Sequence, residues 1–371
     1  MIPELTPLFE ETHLMGTRLT NRLAVAPMTR VTATHEGVPT DKMSRYYSRF
    51  SKGGFGLIIT EGSYIDHEFS QTYEYQPGLA SDDQAKGWHA IVDAVHADGS
   101  KIIAQLLHAG ALSQYNRFRN ETVAPSPVQP KGEQMSFYRG NGPYRTPRSL
   151  KDEEIADIIS HFAMSAARAV RVGGFDGVEI HGANGYLLDQ FLTEYTNMRD
   201  DRWGGDIERR VSLSIEVAKA VRHELGDSVP VGIRISQGKV NDFVHKWSEA
   251  EAGAEVVFGR LAEAGLSYIH VTEFEAWCPA FGENSKSLVS LAREYAGKLT
   301  IIANGSLHDP IRAVNALRDG ADIVALGRGA LSNPDWPNRA RTGESMMEFD
   351  RGLLAPIADI KNSEVAATHT Q

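Results

Sequence analysis

His181, Asn184 and Tyr186 stand within six residues of one another, where the apolar run FDGVEIHGA (175–183) ends. Imidazole, amide and phenol can each hydrogen-bond a carbonyl or move a proton. A phenol has a reference pKa of about 10 and keeps its proton at neutral pH. Tyr186 can therefore serve as a general acid toward a strongly basic carbanion. A second run, KIIAQLLHAG (101–110), carries Gln105, Leu106, Leu107 and His108 near its end. The Gln105 amide offers a donor and an acceptor together, which suits a ring edge carrying both. Arg234 lies inside VPVGIRIS (229–236). A buried charge needs a partner, and an electron-rich ring that becomes anionic would be one. The run NRLAVAPMTR (21–30) ends in Pro27–Met28–Thr29–Arg30, which adds the Thr29 hydroxyl.

Two glycine turns point to a phosphate. Asn304–Gly305–Ser306 and Gly327–Arg328–Gly329 close the last two apolar runs. Glycine lets a backbone approach closely, free N–H groups at a helix start bind anions, and arginine matches phosphate bidentately. The ligand is then a phosphorylated substrate or a phosphorylated cofactor. No run ends in lysine, which argues against Schiff-base chemistry. No His-x-His or compact carboxylate cluster follows a run, which argues against a metal site. Cys278 is the one cysteine, so a disulfide, a cysteine-ligated zinc and an iron–sulfur cluster are all excluded within the chain. Without a nucleophile or a metal, the hard chemistry falls to a bound cofactor.

Eight apolar runs must position these groups: 21–30, 54–62, 101–110, 175–183, 229–236, 266–273, 298–306 and 321–329. Their continuous Val, Ile and Leu content predicts strands buried on both faces. Helical periodicity covers 39–52, 82–98, 151–172, 206–225, 248–264, 286–296, 309–319 and 334–341. The third is the clearest; it opens with Ser149 and acidic residues in its first turn and ends at Gly173–Gly174. Strict alternation implies parallel strands with right-handed crossovers. Eight units predict a (β/α)8 TIM barrel, an α/β fold of about 250 residues whose active site lies at the C-terminal strand ends. The surplus goes to an N-terminal hairpin plugging the barrel bottom, an excursion over 111–148, and the C-terminal tail. The whole of 1–371 reads as a single domain. With 38 basic and 48 acidic residues the net charge is −10, which disfavours nucleic acid as the partner. The N-terminus lacks the apolar core of a signal peptide, and no run reaches the ~18–20 residues that span a bilayer. These features predict a cytoplasmic protein without membrane partners.

GFDGVEIHGANGYLLDQFLTEYTNMRDDRWGG (174–205) strongly resembles the signature of the old yellow enzyme family, the FMN-dependent ene-reductases. APMTR (26–30), IITEG (58–62), AQLLHAG (104–110), VGIRIS (231–236) and ALGRGALSNPDW (325–336) are similar to its other motifs. The resemblance runs from about residue 5 to 345. It implies a barrel that binds FMN non-covalently. Pro27, Met28, Thr29 and Gly62 would line the isoalloxazine, with Thr29 bonded to the flavin O4. Gln105 would hold the pyrimidine edge, and Arg234 would sit near N1 and O2. Gly305, Ser306, Gly327 and Arg328 would hold the phosphate. His181 and Asn184 would bind a substrate carbonyl. Hydride would pass from the flavin N5 to the β-carbon, and Tyr186 would protonate the α-carbon. NAD(P)H would re-reduce the flavin, with NADPH and NADH left undistinguished.

The resemblance also places Tyr73 in the pocket wall and Phe137, Tyr138 and Tyr144 in a lid. Asn197, Arg199, Asp200 and Gly204–Gly205 read as scaffold of the loop after the fourth run. Thr29, where other relatives have Cys, points to the family's classical branch. Leu107 stands where several such members have Trp, which implies a roomier pocket. The tail past Phe349–Asp350–Arg351 lacks the aromatic run of some relatives. Two other readings fit the same barrel: an amine demethylase or dehydrogenase, and a flavin-binding barrel without net redox. Monomer and homodimer both remain open.

Overall fold

Eight parallel strands close on themselves in the computed structural model, which describes residues 2–366. They are β1 (Leu23–Val25), β2 (Leu57–Ile59), β3 (Lys101–Leu107), β4 (Gly177–Asn184), β5 (Val231–Lys239), β6 (Tyr268–Thr272), β7 (Thr300–Asn304) and β8 (Ile323–Leu326). Each pairs in parallel with the next, and β8 returns to β1. The ring is the predicted (β/α)8 barrel. The main helices between and after the strands are α1 (Asp41–Lys52), α2 (Asp82–His96), α3 (Asp152–Arg171), α4 (Ser212–Leu225), α5 (Ala250–Ala262), α6 (Leu288–Tyr295), α7 (Pro310–Arg318) and α8 (Trp336–Thr342). They pack on the outward-facing strand residues in one large apolar core.

The N-terminal hairpin pairs Thr12–Leu14 with Thr17–Leu19. Its Leu14 and Leu19 join Leu57, Ile103, Ile302 and Ile323 inside the barrel, so the predicted plug is present. A 3-10 turn over Pro3–Phe9 precedes it.

Three local readings need correction. Ser149 does not open α3; it sits in a two-residue strand beside Val123–Ala124. The helix starts one turn of chain later, where the Lys151 N–H donates to the Glu154 carboxylate. The helix expected over 206–225 breaks at Val211 into Ile207–Arg210 and α4. Finally, β5 does not end at Ser236; a bulge carries it on to Lys239. One strand therefore does end in lysine. Lys239 is buried and its ammonium donates to Asp189 Oδ1 at 2.8 Å, a structural ion pair.

Candidate active site

Alternation along a strand aims every second side chain into the barrel. The lower layer is apolar and includes Ile103, Tyr268 and Ile302. Gly232 makes room there, since a Cβ would lie 2.2 Å from the Tyr268 ring. Two residues further along the same strands stand Gln105, Arg234, His270 and Asn304, with Glu179 beside them on β4. The barrel thus turns from oily to polar at its mouth.

This polar layer is internally wired. Gln105 Nε2 donates to Glu179 Oε1 at 2.8 Å, and His270 Nδ1 lies 2.9 Å from Glu179 Oε2. The Gln105 carbonyl is left as its free end. Arg234 Nη2 donates to Thr272 Oγ1 at 3.0 Å and Asn304 Oδ1 at 2.8 Å. Arg234 Nε is buried without a partner. Burial lowers the guanidinium to about 10, which leaves it charged at neutral pH.

Above this layer opens a cavity of about 450 Å³. It brings together every candidate from the sequence: Pro27, Met28, Thr29, Gly62, Tyr73, Gln105, Leu107, His181, Asn184, Tyr186, Arg234, Gly305, Ser306, Gly327 and Arg328. At one side His181 Nδ1 accepts the Ala183 N–H at 3.3 Å, so the ring proton belongs on Nε2. Burial and then the charge of Arg234 hold its pKa well below the usual imidazole value. His181 is therefore a neutral donor. Asn184 adopts a left-handed backbone, φ 62°, which asparagine tolerates better than most residues. The Tyr186 ring meets His181 edge-on with centroids 4.9 Å apart. Burial pushes the Tyr186 phenol up to about 12. Its hydroxyl lies 2.7 Å from that of Tyr73.

The other side is backbone and cation. Gly305 has φ 141°, and a Cβ there would fall 2.3 Å from the Glu273 carbonyl oxygen. Arg328 Nη2 donates to Ser306 Oγ at 3.1 Å, and the guanidinium lies over Phe274. From the excursion, Phe137 and Tyr138 line the cavity, while Tyr144 packs against Leu107 and Tyr186. The expected scaffold after β4 is also in place: Asn197 Nδ2 donates to the Phe191 and Trp203 carbonyls.

Residues 7–346 match the NADH:flavin oxidoreductase / NADH oxidase family. The chain belongs to this family. Membership makes it an FMN-dependent oxidoreductase on the TIM-barrel scaffold. The old yellow enzyme homologue of Zymomonas mobilis superposes with a TM-score of 0.85 at 31% identity, over 96% of this chain and 98% of that one. An NADH oxidase of Thermoanaerobacter brockii is 31% identical over 91% of this chain, yet the match spans 51% of that protein. A protein of Leishmania infantum described as a probable flavin mononucleotide-dependent alkene reductase is 35% identical over 90% of each chain.

The cavity fits the family's FMN. Arg234 leaves a buried N–H without a partner, a donor that an electron-rich ring carrying negative charge would satisfy. Gly327 is a cradle: a Cβ there would meet only Met28 Sδ, at 3.7 Å, and would otherwise take up cavity space. Sequence reasoning missed Glu179, His270 and Glu61. Glu179 was findable, because it stands two residues before His181 and so shares its face. Glu61 is fully buried, accepts the Arg30 and Val31 N–H groups at 2.9 and 3.2 Å, and is raised by burial to about 7. Among the described residues no cluster of His, Cys, Asp and Glu could hold a metal, and no helix is long and apolar enough to cross a membrane.

Proposed function

We propose that this flavin oxidoreductase reduces the C=C bond of α,β-unsaturated carbonyls and similar activated alkenes, with NAD(P)H as the source of hydride. The observation that carries this reading is the convergence of neutral His181, Asn184 and the protonated Tyr186 on one cavity beside Arg234. FMN, when bound, carries hydride from the nicotinamide to the alkene. Gln105 and Arg234 would hold its ring, Thr29 its O4 edge, and Gly305, Ser306, Gly327 and Arg328 its phosphate. His181 Nε2 and the Asn184 amide donate to the substrate carbonyl. Both bonds strengthen as that oxygen gains enolate charge, so they favour the transition state over the ground state. Tyr186 gives its proton to the α-carbon. The aromatic cover from the excursion limits water at the site.

The test is anaerobic. NADPH should bleach the oxidised-flavin band, and 2-cyclohexenone should restore it. Tyr186→Phe should slow restoration about 100-fold, the scale of a lost general acid, with bleaching changed less than twofold. The double variant His181→Ala with Asn184→Ala should weaken phenol binding. Bleaching that the enone does not reverse would remove the substrate class.

A further inference from the structure

Tyr73 was expected as pocket wall, but its geometry gives it more to do. Its ring is 1% exposed, and its hydroxyl lies 2.7 Å from the Tyr186 hydroxyl. That is a short, well-formed O–H···O contact. One of the two oxygens must donate. No other protein acceptor is in reach of the Tyr73 hydroxyl among the described residues, whereas Tyr186 lines the cavity where a substrate would sit. If Tyr186 is to hand its proton to a bound carbon, its oxygen must accept from Tyr73.

We propose that Tyr73 is a positioning residue for the acid: it donates to the Tyr186 oxygen, aims that proton into the cavity and stabilises the phenolate left after transfer. The inference rests on Tyr186 being the acid. In the step, the Tyr186 O–H bond breaks, a C–H bond forms at the α-carbon, and the oxygen keeps the electron pair. Tyr73 keeps its own proton throughout. Its ring is held for this by Tyr138, tilted against it with centroids 4.4 Å apart, and Tyr138 is itself fixed by donation to the Thr29 carbonyl at 3.1 Å. The ionisable groups facing Tyr186 are Tyr73, Tyr138, Tyr144, His181 and Arg234. His181 is neutral and Arg234 lies on the barrel wall, so Tyr73 is the neighbour that bonds directly to the oxygen. The Tyr73 bond and the charge of Arg234 both offset the effect of burial on the Tyr186 phenol.

The experiment compares Tyr73→Phe with Tyr186→Phe in the holoenzyme, half-reaction by half-reaction. Tyr73→Phe should slow flavin reoxidation by 2-cyclohexenone about tenfold, the scale of one hydrogen bond to a charged group. It should raise the solvent deuterium isotope effect on that step. Reduction by NADPH and the Kd for phenol should each change less than twofold. A phenol Kd that rises in step with the lost rate, with an unchanged isotope effect, leaves Tyr73 as wall only and overturns the proposal. A slow Tyr186→Phe beside an unaffected Tyr73→Phe overturns it too, with the acid intact. An unaffected Tyr186→Phe instead overturns the reading beneath it. Should Tyr73→Phe fail to fold, 3,5-difluorotyrosine at position 73 keeps the ring and sharpens the donor. Reoxidation should then be faster, and an equal or slower rate overturns the proposal.

Discussion

Two buried carboxyl groups do unlike work near the cavity. Glu179 accepts from Gln105 and His270, and so turns the Gln105 carbonyl toward the cavity. Glu179→Gln can present an amide where those donors need an acceptor. We expect the FMN Kd to rise about tenfold, from roughly 1.4 kcal/mol of lost interaction, read by fluorescence titration. An unchanged Kd would separate Glu179 from cofactor binding. Glu61 is shifted by burial from 4.5 to about 7. Between those pH values the native state holds a proton that the unfolded chain has released. Its contribution to stability is therefore whole below pH 4.5 and is lost as pH rises through about 7. The loss is about 3 kcal/mol, at about 1.4 kcal/mol per pKa unit. Glu61→Gln should flatten that fall in urea unfolding at pH 5 and pH 8, and equal slopes in both proteins would contradict the assignment.

The extended end of β5 is the element that fixes the turn carrying Asn184 and Tyr186. Its bulge brings Ser236 Oγ under the Asn184 N–H at 2.9 Å and Lys239 against Asp189. Asp189 in turn accepts the Gly185 N–H at 2.6 Å and the Thr193 hydroxyl at 3.1 Å. One ion pair thus staples the segment between Asn184 and Tyr186 to β5. Lys239→Met leaves the buried Asp189 without its cation and should cost about 3–5 kcal/mol. Adding Asp189→Asn should recover most of that in denaturant unfolding. A neutral Lys239→Met would mean the pair holds nothing. The run VPVGIRIS announced the strand, but Gln237 and Gly238 ended its apolar signal early. A bulge is a pairing event between two chains of residues, so the run alone could not carry it to Lys239.

At the scale of the whole molecule, the C-terminal segment returns to the mouth of the barrel. Leu354 lines the cavity. Arg30, fully buried just past β1, donates to the Ala358 and Asp359 carbonyls at 3.0 and 2.8 Å and pairs with Glu364. Arg49 on α1 reaches the same carboxylate at 3.0 Å. The Ala358 N–H donates to the Phe137 carbonyl at 2.8 Å, so the tail also holds the aromatic cover. Glu364→Ala strands a buried guanidinium and should destabilise by about 3–5 kcal/mol. A lower Tm together with faster FMN loss on dialysis is the expected pair of results. A full loss of stability with FMN retained would confine the segment to folding.

The barrel and the candidate residues lining its cavity were legible in the residue order alone. Continuous apolar runs and glycine turns are local properties, and the motif around His181 repeats its family's pattern closely enough to single out His181, Asn184 and Tyr186. Gln105, Arg234, Gly305 and Arg328 could be placed because each lies within or just after its own apolar run. The contacts that cross between elements emerge only when the barrel closes. Tyr73 is 113 residues from Tyr186, and Arg30 is 334 from Glu364. Neither spacing has a period. Their pairing comes from barrel closure and from burial, which removes water as an alternative partner and leaves each polar group to find another across the fold.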